Sequence, residues 1–245
     1  MRSRPSADGA HSACFTTVIH TFRAMRQRDT ILLTGFGPFP GVPQNVSERF
    51  VYKLAHLAAR RFSAHRVVAR ILPTEWERAP ARLETLYERE RPKLVLHFGV
   101  SAEAKSYVLE HVAHNACRAA EDACGALPPD RVLLKGGADV LSARLPAEDI
   151  VQRLTALNVP IVTSDDAGSY LCNAILYRSL MIAAAQGQPE TVGFFHIPSA
   201  IPSARVKSDV SDDLRFDWGT ALTGGLEIIR TCLGRPPSRR QSRAR

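Results

Sequence analysis

Two residues far apart in the chain have the types that nucleophilic chemistry needs. Cys172 lies in SDDAGSYLCNAILY, residues 164–177, where small and polar residues give way to an apolar run of helical character. His196 lies in GFFHIP, residues 193–198, at the end of a strand-like stretch. A thiol in the first turn of a helix meets unpaired backbone N–H groups and the positive end of the helix dipole, and both favour a thiolate. The same N–H groups could hold the oxyanion formed when sulfur adds to a carbonyl. Taken alone, a lone cysteine is more often a buried filler, and a lone histidine a packed or surface group. Together they have a use, because a cysteine nucleophile needs a base within hydrogen-bond reach and a third group to orient that base. Glu110, Asp165 and Asp166 are the candidate acids, and spacing does not choose among them.

A second constellation is TGFGPFPG at 34–41. No Gly-Lys-Ser/Thr follows, so it is not a phosphate loop. Phe36 and Phe39, held in a Gly/Pro turn, would either line a small apolar pocket or pack into the core. The five cysteines, Cys14, Cys117, Cys124, Cys172 and Cys232, are odd in number and scattered. That is no disulfide framework, and Cys117 and Cys124 lack the further Cys or His ligands of a zinc pair. The expected setting is reducing and cytoplasmic, and the expected chemistry uses no metal or cofactor.

The elements that must position these groups follow from hydrophobic period. TILLTGF at 30–36 reads as a strand ending in a glycine turn, and from Ser47 the apolar residues Phe50, Val51, Leu54, Leu57 and Ala58 recur at helical spacing. Ser47 or Asn45 can cap that helix. Strands are expected at 66–73, 93–99, 160–164 and 191–198, and helices at 81–92, from Pro146, from Tyr170 to about Ala185 and from Asp217 to about Cys232. Residues 100–145 break the rhythm; YVLEHVAHN reads as extended, and the Gly/Ala/Pro-rich part as loop with a small hairpin. Alternating strands and crossover helices imply a three-layer α/β/α fold with a mainly parallel twisted sheet. In such sheets sites form at the carboxyl ends of strands, where Cys172 and His196 both fall. Adjacent parallel strands would then bring the two together.

The 245 residues suffice for one large core, and no apolar run approaches the roughly eighteen residues of a membrane helix. The net charge of +8 sits mostly at the ends: RPPSRRQSRAR at 235–245 carries five arginines and no acid, and residues 1–24 a surplus of two. Residues 25–234 are left near neutral, so the positive face that nucleic acid requires is not expected. We expect a disordered or mis-assigned leader at 1–28 with the native start at Met25, one α/β domain at 29–234, and a disordered basic tail at 235–245.

Five motifs in order give the chain a family resemblance: TGFGPFPG with Asn45 and Ser47, LPTEW at 72–76, HFGVSAEAKSYVLEHVAHN at 97–115, SDDAGSYLCN at 164–173 and GFFHIP. The chain resembles pyroglutamyl peptidase I, also called pyrrolidone-carboxylate peptidase, a family of cysteine exopeptidases with a phosphorylase/hydrolase-like fold. The resemblance implies a triad of Cys172 as nucleophile, His196 as base and Glu110 as orienting acid. It also implies that Phe36 and Phe39 sandwich the pyroglutamyl ring, that Asn45 and Thr74 stand near that pocket, and that Val100, Leu171 and Arg118 bind the substrate, Arg118 near the oxyanion. The implied partner is a peptide with an N-terminal pyroglutamate, cleaved through a thioester; no membrane or nucleic-acid partner is implied, and a homo-oligomer is compatible with this reading. The chain departs from many bacterial members at SAEAK and at the short segment NACRAAEDACG, where Arg118 would replace a family arginine. Those departures keep two alternatives open: a thiol hydrolase of other small amides, and a non-catalytic module that binds capped N-termini.

Overall fold

The structure is a computed structural model that describes residues 28–203 and 216–234. The expected leader, apart from Arg28, and the expected basic tail lie outside the described residues. The first element among the described residues is β1 (Thr30–Phe36), every residue of which is buried. Such a continuous apolar run is what a strand covered on both faces requires. Helix α1 (Val46–Arg61) starts at Asn45, whose side chain accepts the Ser47 N–H; of the two expected caps, Asn45 fills the position. Then come β2 (Arg66–Leu72), α2 (Arg78–Glu90) and β3 (Leu94–Ser101). Helix α2 starts three residues earlier than its apolar spacing suggested, and it ends as Arg91 turns left-handed (φ 43°) ahead of Pro92.

Residues 100–145 supply more of the fold than their composition suggested. YVLE forms β4 (Tyr107–Glu110), a strand of the central sheet, while β5 (Val112–His114) pairs with β6 (Val140–Ser142) in a separate hairpin-like sheet. Next follow α3 (Ala147–Ala156), β7 (Ile161–Ser164), α4 (Leu171–Gln186), β8 (Thr191–Pro198) and α5 (Trp218–Leu233). The central sheet has six strands in the order β2-β1-β3-β8-β4-β7. All neighbouring pairs run parallel except β4 against β8.

This order corrects one expectation. The strands that precede Cys172 and carry His196, β7 and β8, are not neighbours; β4 lies between them and, with β7, runs against the other four. Strand direction depends on long-range pairing, which a local hydrophobic pattern does not encode.

Side chains alternate across the sheet into two cores. Ile31, Leu33, Leu96, Phe98, Phe195 and Ile197 face α1, α3 and α5. Leu32, Val68, Leu72, Val95 and Phe194 face α2 and α4. Three layers result, and α4 is buried on nearly every face, as its mostly apolar composition requires.

Candidate active site

Strand β8 passes through the middle of the sheet with Phe194 and His196 on the α4 side. On its far flank, antiparallel β4 sets Val108 opposite His196 and Glu110 opposite Phe194. Glu110 is therefore the diagonal neighbour of His196 on the same face, within reach of a long side chain. Its Oε1 lies 2.7 Å from His196 Nδ1, and both groups are buried. On the near flank, β3 sets Gly99 opposite His196. Gly99 leaves room that a side chain would fill: a Cβ there would stand 2.9 Å from Cys172 Sγ and 2.8 Å from Phe194 Cζ.

Cys172 is the second residue of α4, half-buried, and hydrogen-bonded to His196. No side chain caps α4 at Tyr170. The first N–H groups of a helix have no intrahelical partner, so this end is free to meet negative charge. Asn173, fully buried, fixes the same turn: it accepts the His114 N–H at 2.8 Å and donates to the carbonyls of His114 and Ala116 at 2.7 and 2.9 Å.

Burial alone would lower the pKa of His196. The Cys172 thiolate charge, the hydrogen bonds to Cys172 and Glu110, and the Glu110 charge outweigh it and push the imidazole up to about 10. The three groups thus form one electrostatic unit, in which a cation between two acids is favoured.

These groups open onto a cleft of about 540 Å³, and Phe36, Phe39, Asn45, Thr74, Val100, Glu110, Arg118, Leu171, Cys172 and His196 all line it. Every site residue expected from the sequence stands on this one cleft, although their polar atoms are used differently. Asn45 Nδ2 and Thr74 Oγ1 both donate to the Gly37 carbonyl, at 3.0 and 2.9 Å. They pin the aromatic turn from behind. Phe36 is buried with its ring 6.2 Å from Phe194, while Phe39 is half-buried and faces Tyr170 at 6.3 Å. Phe39 and Val42 exchange backbone hydrogen bonds across Pro40 and Gly41, and Gly41 has φ 82°. That tight turn requires positive φ at its third position, which glycine supplies.

Sequence reasoning missed the opposite rim. Tyr170 was read only as the start of a helix; its ring also packs edge-on against Trp76 at 5.0 Å and under the Arg118 guanidinium at 5.5 Å. Asp122 holds the loop behind them, accepting N–H bonds from Trp76, Cys124 and Ala126. Burial would raise its carboxyl pKa, but those three N–H groups hold it below the usual carboxylate range. The one usable signal was a tryptophan in the polar stretch PTEWER at 73–78. Of the other candidate acids, Asp165 is exposed and paired with His111 at 3.1 Å, while Asp166 lines the cleft edge without a bond to His196. Among the described residues no group of three or more His, Cys, Asp or Glu is placed to hold a metal ion, and no helix is long and apolar enough to cross a membrane.

Comparison with known proteins gives the cleft a context. Residues 29–215 match the family described as pyroglutamyl peptidase. A pyrrolidone-carboxylate peptidase of Gloeobacter violaceus is 36% identical over 205 residues, 82% of this chain and 97% of the relative. Pyrrolidone-carboxylate peptidase 1 of Ralstonia nicotianae is 33% identical over 87% of this chain and 97% of its own length. A mutant pyrrolidone carboxyl peptidase from the hyperthermophile Pyrococcus furiosus superposes with a TM-score of 0.73 at 29% identity, covering 83% of this chain and 98% of that one.

Proposed function

This chain belongs to the pyroglutamyl peptidase family, and we propose that it is a cysteine peptidase that removes N-terminal pyroglutamate from peptides through Cys172, His196 and Glu110. The observation that supports this reading most is a buried imidazole bonded on one side to a carboxylate and on the other to a thiol at a helix start. Nucleophilic catalysis by cysteine uses that constellation.

The neutral lactam ring enters between Phe36 and Phe39, where an apolar wall accepts it without stranding a charge. Sulfur attacks the carbonyl carbon that joins pyroglutamate to the next residue. The N–H groups of the first turn of α4 receive the negative charge on oxygen. His196 then gives its proton to the departing amine, the C–N bond breaks, and a thioester to Cys172 remains. With the amine gone, His196 takes a proton from water, whose oxygen attacks the thioester and releases pyroglutamate and the thiol. Throughout, Glu110 fixes the ring by its Nδ1 and supports the cationic form. Arg118, exposed at the rim of the cleft, is placed to contact the substrate. We assign the activity to the reducing cytoplasm, where free cysteines persist.

Hydrolysis of a pyroglutamyl fluorogenic amide, set against acetyl and prolyl analogues, tests this. The wild type should cleave only the first, and Cys172→Ala should abolish cleavage while leaving the fold intact by circular dichroism. Wild-type turnover of the acetyl or prolyl amide at a comparable rate, or no turnover under reducing conditions, would refute the assignment.

A further inference from the structure

Beneath the cleft a second polar chain crosses the core, and the proposed mechanism does not use it. The imidazole of His97 on β3 stands between two hydroxyls: Thr34 Oγ1 of β1 lies 2.6 Å from Nδ1, and Ser179 Oγ of α4 lies 2.6 Å from Nε2. Ser179 Oγ is 2.7 Å from the Tyr87 hydroxyl of α2. All four residues are buried, Thr34, His97 and Ser179 completely. Burial pushes the imidazole down to about 3, so it is neutral, with one ring nitrogen donating and the other accepting. Both ring nitrogens are then satisfied.

Stability does not explain this chain. Each hydrogen bond contributes only about 1 kcal/mol once the loss of water is counted. An apolar filling of the same shape would do as well. What a satisfied buried polar network supplies instead is a unique arrangement. Helix α4 has a use for one, because it is buried on nearly every face and apolar packing by itself is non-directional. Ser179 lies two turns beyond Cys172, on the same face of α4. His97 lies two residues before Gly99 on the same face of β3. The sheet thus offers α4 two seats: His97 receives Ser179, and Gly99 receives the Cys172 sulfur.

We propose that His97 and Ser179 are positioning residues, whose hydrogen bond sets the rotation and depth of α4 so that the Cys172 thiol meets His196. This rests on Cys172 being the nucleophile.

The experiment compares Ser179→Ala, which unties α4 from the sheet, with Thr34→Val, a near-isosteric loss at the other end of the same chain that leaves the Ser179 bond in place. Three quantities are measured: thermal stability, kcat and KM on a pyroglutamyl amide, and the rate of Cys172 alkylation by iodoacetamide at neutral pH, followed by peptide mass spectrometry. Ser179→Ala should lower kcat and the alkylation rate together by about tenfold or more, since small misplacements of reacting groups are that costly. KM should stay within about twofold, because the ring pocket is untouched. Thr34→Val, which removes one bond where Ser179→Ala removes two, should lose some stability with both rates retained. If Ser179→Ala does not fold, Ser179→Cys, which keeps the volume and weakens the bond, should give the same pattern. Equal losses of kcat in Ser179→Ala and Thr34→Val, or alkylation at the wild-type rate in Ser179→Ala, would overturn the proposal. A wild type that cleaves no pyroglutamyl amide would instead refute the functional assignment, and the alkylation rates would still judge the positioning.

Discussion

The floor and the rim of the cleft are built by different means. The floor is β3, β8 and β4 with the first turn of α4 laid over them, and Gly99, Phe194, Glu110 and His196 are held in place by strand pairing. The rim is loop: the Phe39–Val42 turn, Tyr170, and the segment around Asp122, held by scattered hydrogen bonds rather than a strand ladder, such as Tyr170 Oη to the Glu121 carbonyl at 2.9 Å. Groups that exchange protons need placement to a fraction of an ångström, and paired strands supply it. Groups that meet a variable peptide need only a surface, and loops on a rigid scaffold can differ between relatives at little cost. Of the two departures that the family resemblance implies, NACRAAEDACG falls on the rim, while SAEAK starts at Ser101, where β3 of the floor ends. The comparison teaches that chemistry and selection are separable here, and substitutions in the two regions should differ in kind.

Glu110→Gln gives the largest expected effect. The amide keeps the shape but removes the charge that supports the imidazolium, so kcat should fall by about 10²- to 10⁴-fold. His196 has a folded pKa of about 10 against an ordinary 6.5. Its protonation therefore contributes stability fully below 6.5, and that contribution is lost as pH rises from 6.5 to about 10. In Glu110→Gln the folded pKa moves down, so both the alkaline fall of activity and the alkaline loss of stability should begin at lower pH. Activity–pH profiles and melts at several pH values check this. An unshifted alkaline limb would mean that the floor does not act as one electrostatic unit.

Gly99→Ala comes next and tests whether floor placement alone matters. The added Cβ would come within 2.9 Å of Cys172 Sγ and 2.8 Å of a Phe194 ring atom, closer than such contacts allow. The sulfur or the ring must shift. kcat should fall by about tenfold or more, while KM changes less, because the added methyl meets the Cys172 sulfur directly and reaches Phe36 only through Phe194. Steady-state kinetics decides. A variant with unchanged kcat and raised KM would assign Gly99 to the binding surface rather than the floor.

The contrast also explains what the sequence made legible. Residue type and place in the pattern singled out Cys172 and His196, because a helix start after small residues and a histidine ending a strand are local signals. Glu110 was not separable from Asp165 and Asp166 by spacing, and the family resemblance chose it. Its reach to His196 depends on β4 running antiparallel to β8, a pairing across 86 residues that no local period carries. The helices could be read because Phe50, Val51, Leu54 and Ala58, or Leu83, Leu86 and Tyr87, repeat on one face. The rim could not. Asp122, Asn115 and Asn173 organise it through bonds to backbone groups, and such hubs leave no periodicity behind. His97 went unread for a related reason: in an apolar strand an imidazole looks like filler until its partners on α4 and β1 are in view.

The smallest predicted effect lies on the rim and distinguishes the two regions most cleanly. Trp76 touches Tyr170 edge-on and donates its indole Nε1–H to the Ala120 carbonyl at 2.8 Å. Trp76→Phe keeps an aromatic ring against Tyr170 and removes that bond, so the loop carrying Arg118 loses one of its ties. Losing a single partly buried hydrogen bond costs about 1 kcal/mol. The melting temperature should therefore drop by only a few degrees, by about 2–4 °C for a domain of this size. If the rim serves only to receive the leaving peptide, KM for a pyroglutamyl dipeptide should rise by about two- to threefold, with kcat unchanged and the alkylation of Cys172 at its wild-type rate. A short amide substrate, which ends before the rim, should show no change in KM at all. A fall in kcat on both substrates would mean that the rim reaches the reacting groups, and the division between floor and rim would have to be abandoned.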